Sequence, residues 1–198
     1  MPKQTPSQTV GPFFAYGLTP EAYGRAGVAG NNLLTDSTQG ERIRIEGVVY
    51  DGNGAPVSDA MLEIWQANAA GRYDHPEDNR DDVAADPGFH GFGRTGTDAE
   101  GRFHFDTIKP GPVPGRGNSL QAPHISLTLF SRGMPNHTFT RIYFPDETDA
   151  NATDPVLALA PADRRETLVA TRLDRSGQPV YRFDIHLQGE QETVFFDA

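Results

Sequence analysis

The sequence contains no cysteine, so disulfides, thiolate-bound zinc, iron–sulfur clusters and thiol nucleophiles are excluded. Long apolar runs are also missing. The longest aliphatic stretch is residues 156–160, far short of the ~20 residues that a membrane-spanning helix needs. Excess positive charge is absent too: a net charge of −10 leaves no basic face for a phosphate backbone, which argues against a nucleic-acid partner. An anionic small molecule would need a local cation here, because the overall field repels it. The N-terminal MPKQTPSQTVGPFFAYGL has no basic segment followed by an apolar one. No signal peptide is therefore expected, and the expected location is the cytoplasm.

Helix-forming segments are scarce, whereas turn formers are abundant, with 21 Gly and 16 Pro in 198 residues. Between the turns, apolar residues recur with period two. Ile43, Ile45 and Val49 alternate with Arg42, Arg44 and Glu46; Phe103 and Phe105 alternate with Arg102, His104 and Asp106; Tyr181, Phe183, Ile185 and Leu187 alternate with Arg182, Asp184, His186 and Gln188. That period marks half-buried strands. Further strands are expected over 60–66, 124–130, 139–144 and 193–196, with a turn at Asp51-Gly52-Asn53-Gly54 between the first two. Many short strands of this kind predict an all-β sandwich or barrel. Asp154-Pro155 places an N-cap before a proline at the first helical position and predicts a short helical turn through Leu159, and 162–168 is a second candidate. No repeat or linker divides the chain, so a single domain over 1–198 is expected. Two polar loops, 67–93 and 109–123, are long enough to imply function or packing against another surface.

The order of several motifs then carries a resemblance. The stretches 45–57 (IEGVVYDGNGAPV), 60–67 (AMLEIWQA) and 71–73 (GRY) come first, followed by 93–95 (GRT), 101–103 (GRF), 107–111 (TIKPG) and 122–125 (APHI). Together they resemble the intradiol ring-cleavage dioxygenases. The N-terminal 5–12 (TPSQTVGP) and C-terminal 192–197 (ETVFFD) look like the alpha-type chain of the family's two-chain members. The resemblance implies a mixed β-sandwich and an αβ protomer within a higher oligomer, with residues 1–40 as an arm packing on the beta chain. It also implies a ferric centre, Fe(III), bound by that partner. The implied substrate is 3,4-dihydroxybenzoate, opened by O2 between its hydroxylated carbons to 3-carboxy-cis,cis-muconate, a step of aromatic catabolism through the beta-ketoadipate route.

Family members that hold the metal use two Tyr and two His, hard donors that suit ferric iron. At the matching positions this chain has Val113 in place of one Tyr, and His124 followed by Ser126 in place of the His-x-His pair. Gln121 stands where an Arg precedes that pair, and residues 79–83, where the other Tyr falls, contain none. The resemblance therefore implies an iron-free chain with no catalytic residues of its own. His124 reads as a hydrogen-bonded interior or interface histidine, and His104 and His186 as solvent-facing.

What the chain contributes instead is implied by matching positions. Thr9, Gly11 and Pro12 fall where the arm reaches over the partner's pocket, and a Gly-Pro step permits close backbone approach and a stiff wall; the arm could equally serve only to dock. Arg132 matches a residue beside the substrate entrance, where a guanidinium suits a carboxylate; an Arg before Gly at a strand end is also often simply solvated. Trp65 could be a ligand platform, but its strand position favours core or subunit packing. Two sequons, at Asn136 and Asn151, are incidental without a secretory route. The acidic stretch 74–86 lacks the spacing of a calcium loop. The competing reading is a non-enzymatic, transthyretin-like or carboxypeptidase-associated β-sandwich module, which the 47–60 pattern also resembles but which lacks the terminal motifs. A self-sufficient iron dioxygenase fails on its ligand count.

Overall fold

The computed structural model describes residues 14–173, 175 and 177–197; Thr9, Gly11 and Pro12 lie outside them. A short helix, α1 (Phe14–Leu18), precedes the first strand, β1 (Arg42–Tyr50). Then come β2 (Met61–Trp65), β3 (Phe92–Gly96), β4 (Arg102–Ile108), the two-residue strands β5 (Val113–Pro114) and β6 (Leu120–Gln121), β7 (His124–Phe130) and β8 (Thr138–Tyr143). Helix α2 (Thr148–Thr153) and strands β9 (Thr171–Leu173), β10 (Val180–Arg182) and β11 (Ile185–His186) complete the chain. Among the described residues no helix is long and apolar enough to cross a membrane.

Period-two alternation becomes two facing sheets. In the first, β1 pairs antiparallel with β4 along one edge and parallel with β10 and then β11 along the other, with β9 outside β10. The second runs β3-β2-β7-β8, antiparallel throughout. Ile43, Ile45, Val49 and Phe105 of one sheet meet Leu62, Ile64, Ile125, Leu127 and Ile142 of the other in one buried core. Removing that apolar surface from water is the main force holding the sheets together. This is an all-β sandwich, as the strand pattern predicts, and mixed in its pairing, as the family resemblance implies. The turn after β1 sits as expected, with Asp51 Oδ1 accepting from the Asn53 and Ala55 amides at 2.8 and 2.9 Å. The strands it separates, however, belong to different sheets.

Several elements differ from the sequence pattern for local reasons. The expected 181–188 strand is split at Phe183-Asp184 because the Asp184 carboxylate, not a ladder carbonyl, accepts the Val48 amide at 3.0 Å. Gly47 lies against that break: a Cβ there would sit 1.9 Å from the Phe183 carbonyl oxygen. Residues 193–196 form only an isolated bridge, Phe196 to Phe139. The two predicted helical segments are single 3₁₀ turns, Leu157–Leu159 and Arg165–Leu168. They cover a second, smaller apolar cluster of Ala122, Tyr143, Leu157, Ala160 and Leu168 on the outer face of the second sheet.

Candidate functional site

That outer face carries the positions that the motifs single out. Trp65 on β2, Ser126 on β7 and Arg141 on β8 are cross-strand neighbours in one row, and His124 opposite Tyr143 forms the next row. Residues directly opposite, and residues two apart on one strand, share a face. Trp65, Ser126, Arg141, His124 and Tyr143 therefore point the same way, while Ile64, Ile125 and Ile142 point into the core.

The two long loops fold over this face. After β2 the chain turns at Asn68, whose side-chain oxygen accepts the Ala70 and Arg72 amides at 3.0 and 2.9 Å while its amide donates to the Ala84 carbonyl at 2.9 Å. Gly71 completes the turn with φ of 83°, and a Cβ there would lie 2.0 Å from the Pro112 carbonyl oxygen of the second loop. The turn lays Tyr73 on Trp65, with ring centroids 5.7 Å apart and planes 13° from parallel. Trp65 thus packs outward against Tyr73 and not in the core. Asp78 accepts the Tyr73 amide at 2.8 Å and both guanidinium arms of Arg80 at 2.7 and 2.6 Å. The Arg80 hydrogen bonds hold the Asp78 carboxyl well below the usual carboxylate range. Arg80 also donates to the Gly71 carbonyl at 2.7 Å, closing the loop on itself. Residues 79–83 are therefore organised around a guanidinium.

The second loop is a β5–β6 hairpin that pairs Val113 with Gln121. Gln121 donates to the Pro114 carbonyl at 2.9 Å and accepts from Arg141 Nη1 at 2.6 Å, tying hairpin to sheet. Between hairpin and first loop lies a crevice of 550 Å³ lined by Trp65, Tyr73, His75, Glu77, Asp78, Arg80, Val113 and Pro114. Among the described residues no three His, Asp or Glu side chains converge as a metal-holding group.

His124 is buried and its Nδ1 lies 2.7 Å from the Ala122 carbonyl. A carbonyl only accepts, so Nδ1 carries the proton and Nε2 is left with its lone pair. Burial, reinforced by the nearby Arg141 charge, pushes this imidazole down to about 4, so it is neutral at pH 7. Burial also pushes the Tyr143 phenol well above its usual range. Its hydroxyl donates at 3.0 Å to Asp154, a carboxylate that is itself buried. Asp154 was legible as an N-cap, and it does accept the Val156 and Leu157 amides at 2.8 and 2.7 Å. It also accepts the Ala122 amide at 2.8 Å, so one carboxylate fixes the turn into β7 and the start of the following 3₁₀ turn.

Arg141 is the central residue that sequence reasoning missed. Its signal was an Arg inside an apolar strand, two residues before Tyr143 and hence on the same face. The Arg141 Nε is buried and has no hydrogen-bond acceptor.

The other singled-out residues lie elsewhere. Arg132 follows the far end of β7 from His124, with its side chain 81% exposed and its Nε 2.8 Å from Asp59. His104 is exposed and bonded to Asn31 at 2.8 Å, as a polar-face position predicts. His186 is half-buried and stacked on Tyr50, with centroids 4.9 Å apart.

Comparison with known proteins places these features in a family. A family model described as "Dioxygenase" matches residues 11–189. The protocatechuate 3,4-dioxygenase alpha chain of Burkholderia cepacia is 52% identical over 201 residues, covering 99% of this chain and 98% of that one. The beta chain of the same name from Burkholderia cepacia is 42% identical over 169 residues, covering 82% of this chain and 71% of that one. Among solved structures, the dioxygenase domain of a dioxygenase–carbohydrate-binding fusion from Streptomyces sp. SirexAA-E superposes with a TM-score of 0.60 at 24% identity. It covers 94% of this chain and 96% of that one, a likeness of fold.

Proposed function

We propose, from the premise that this chain belongs to the intradiol ring-cleavage dioxygenase family, that it is the iron-free, alpha-type subunit of a protocatechuate 3,4-dioxygenase. In this reading it pairs with a beta-type chain that holds Fe(III), and the pair opens 3,4-dihydroxybenzoate with O2. The carrying observation is the donor set on the outer face of the second sheet. Where the family's metal-bearing chains present phenolates and paired imidazoles, this chain presents Val113, Ser126 and one buried His124 beside a guanidinium. An isopropyl group donates nothing and a guanidinium cannot lose its proton at accessible pH. These residues do not fit ferric iron.

The chain's own part is then structural and electrostatic. Thr9, Gly11 and Pro12 wall the partner's pocket, residues 1–40 forming an arm that packs on the partner. The exposure of Tyr16, Tyr23 and Val28 along that arm supports it, since such apolar groups gain from cover by a second chain. Arg132 supplies the local cation that a carboxylated catechol needs near a chain of net charge −10.

The test is to purify the chain alone and with its beta-type partner, then measure iron content, the visible tyrosinate-to-iron absorption and ring cleavage. The expected result is iron, colour and cleavage only when the partner is present. Stoichiometric iron on this chain alone would overturn the reading.

A further inference from the structure

The site where iron does not fit is not an empty relic, and three observations concern what stands there. The first is position. Arg141 is the cross-strand neighbour of Ser126, and its Nη1 donates at 2.6 Å to Gln121, which is itself paired with Val113. The guanidinium thus reaches between the strand and the hairpin that carry two of the altered positions, on the face that His124 shares.

The second is burial without full satisfaction. Nε is shielded from water and has no acceptor, an arrangement that stability alone does not favour, because an apolar side chain of similar size would leave no donor unmatched. The third is charge. Arg141 meets the Gln121 amide and the Tyr143 hydroxyl, both neutral, and makes no ion pair with the described carboxylates. Asp154, close enough to bond Tyr143, has both oxygens engaged, Oδ1 by Tyr143 and the Val156 and Leu157 amides and Oδ2 by the Ala122 amide.

We infer that Arg141 is a built-in cation occupying the family's metal position, and that it bars metal ions from this chain by charge in addition to the loss of donors. The inference rests on the iron-free reading above but goes further: restoring the donors at positions 113 and 126, to give three with His124, still leaves the site closed. A lone-pair nitrogen on His124 beside a fixed positive charge is a poor ligand for a trication, since each further positive charge brought to the guanidinium raises the repulsion in proportion. The arrangement also gives the αβ pair a means of directing iron to one of two homologous centres.

The experiment uses the full chain co-purified with its beta-type partner, loaded with ferric citrate and desalted, with iron counted per αβ pair and the visible tyrosinate-to-iron band recorded. Wild-type protein should hold one iron per pair; two would overturn the iron-free premise itself. Val113→Tyr combined with Ser126→His should still hold one. Adding Arg141→Gln to that pair of substitutions should raise the count toward two, with a matching gain in the visible band. Two outcomes overturn the inference: a second iron bound while Arg141 is in place, or a triple variant that folds, by circular dichroism and thermal unfolding, and still holds only one. Should the Gln variant fail to fold, Arg141→Lys and Arg141→Met in the same background give the same contrast. The charged Lys should keep the count at one and the neutral Met should raise it.

Discussion

At the scale of single residues, the outer face of the second sheet is governed by two buried groups, His124 and Asp154. His124 is held neutral, pushed down to about 4 by burial and by Arg141. In the unfolded chain it titrates near the ordinary histidine value of about 6.5, so between those limits the unfolded state takes up a proton that the folded state refuses. Stability is therefore complete above pH ~6.5 and declines as pH falls, by roughly 2.5 kcal/mol between pH 7 and pH 4.5. His124→Gln removes this slope. Urea unfolding of both proteins at the two pH values should show the variant losing about 2 kcal/mol less than wild type. Equal losses would mean the imidazole is charged in the fold. Asp154 is a different case, a buried carboxyl group that accepts from four donors. Asp154→Ala strands the Ala122, Val156 and Leu157 amides and the Tyr143 hydroxyl, a loss on the order of 3–5 kcal/mol. Asp154→Asn retains an accepting oxygen and should lose less, a ranking that thermal unfolding can read directly.

At the scale of elements, the weakest seam is the parallel edge of β1, where pairing passes from β10 to β11 across Gly47 and Val48, which have no paired residue on that side. Gly47 permits the approach there, and a methyl group would meet the Phe183 carbonyl oxygen at 1.9 Å. Gly47→Ala should push β10 and β11 off the sheet, lowering stability by about 3 kcal/mol or more, as overpacking at a rigid backbone does. Amide exchange should quicken at Phe183 and Leu187, whose amides donate to β1 carbonyls. Exchange confined to the mutated strand would argue against it. This seam also marks how far the pattern could be read from the sequence. Alternation disclosed β1, β4 and the segment that holds β10 and β11, because period two with one apolar face leaves a clear trace, and β2, β7 and β8 were legible as further strand candidates. It could not disclose that Asp184 breaks its own strand, since the cause is a side-chain bond to Val48, 136 residues away. Strands β3, β5 and β6 escaped inside loops dense in Gly and Pro, where short pairing leaves no periodic signal. At the site, Val113 and Ser126 were legible by motif, but the Arg141 row was not, because cross-strand register is a property of the sheet and not of any one segment.

At the scale of the whole molecule, the proposed function asks a chain of net charge −10 to help an anionic substrate toward a partner's centre, and that proposal assigns the task to Arg132. Its guanidinium sits at the opposite end of β7 from Arg141, largely in solvent and paired with Asp59. An exposed pair of this kind holds its partners with less than about 1 kcal/mol, so a substrate carboxylate can replace Asp59 without a large penalty. Arg132→Ala in the assembled αβ enzyme should raise KM for 3,4-dihydroxybenzoate by about fivefold, while KM for catechol, which has no carboxylate, moves little. Asp59→Asn should act in the other direction on the carboxylated substrate, since it frees the cation. Both effects should fade as ionic strength rises, because charges this exposed are screened over about 10 Å at 0.1 M salt. If Arg132→Ala shifts both substrates equally, its role is in the shape of the entrance and not in its charge.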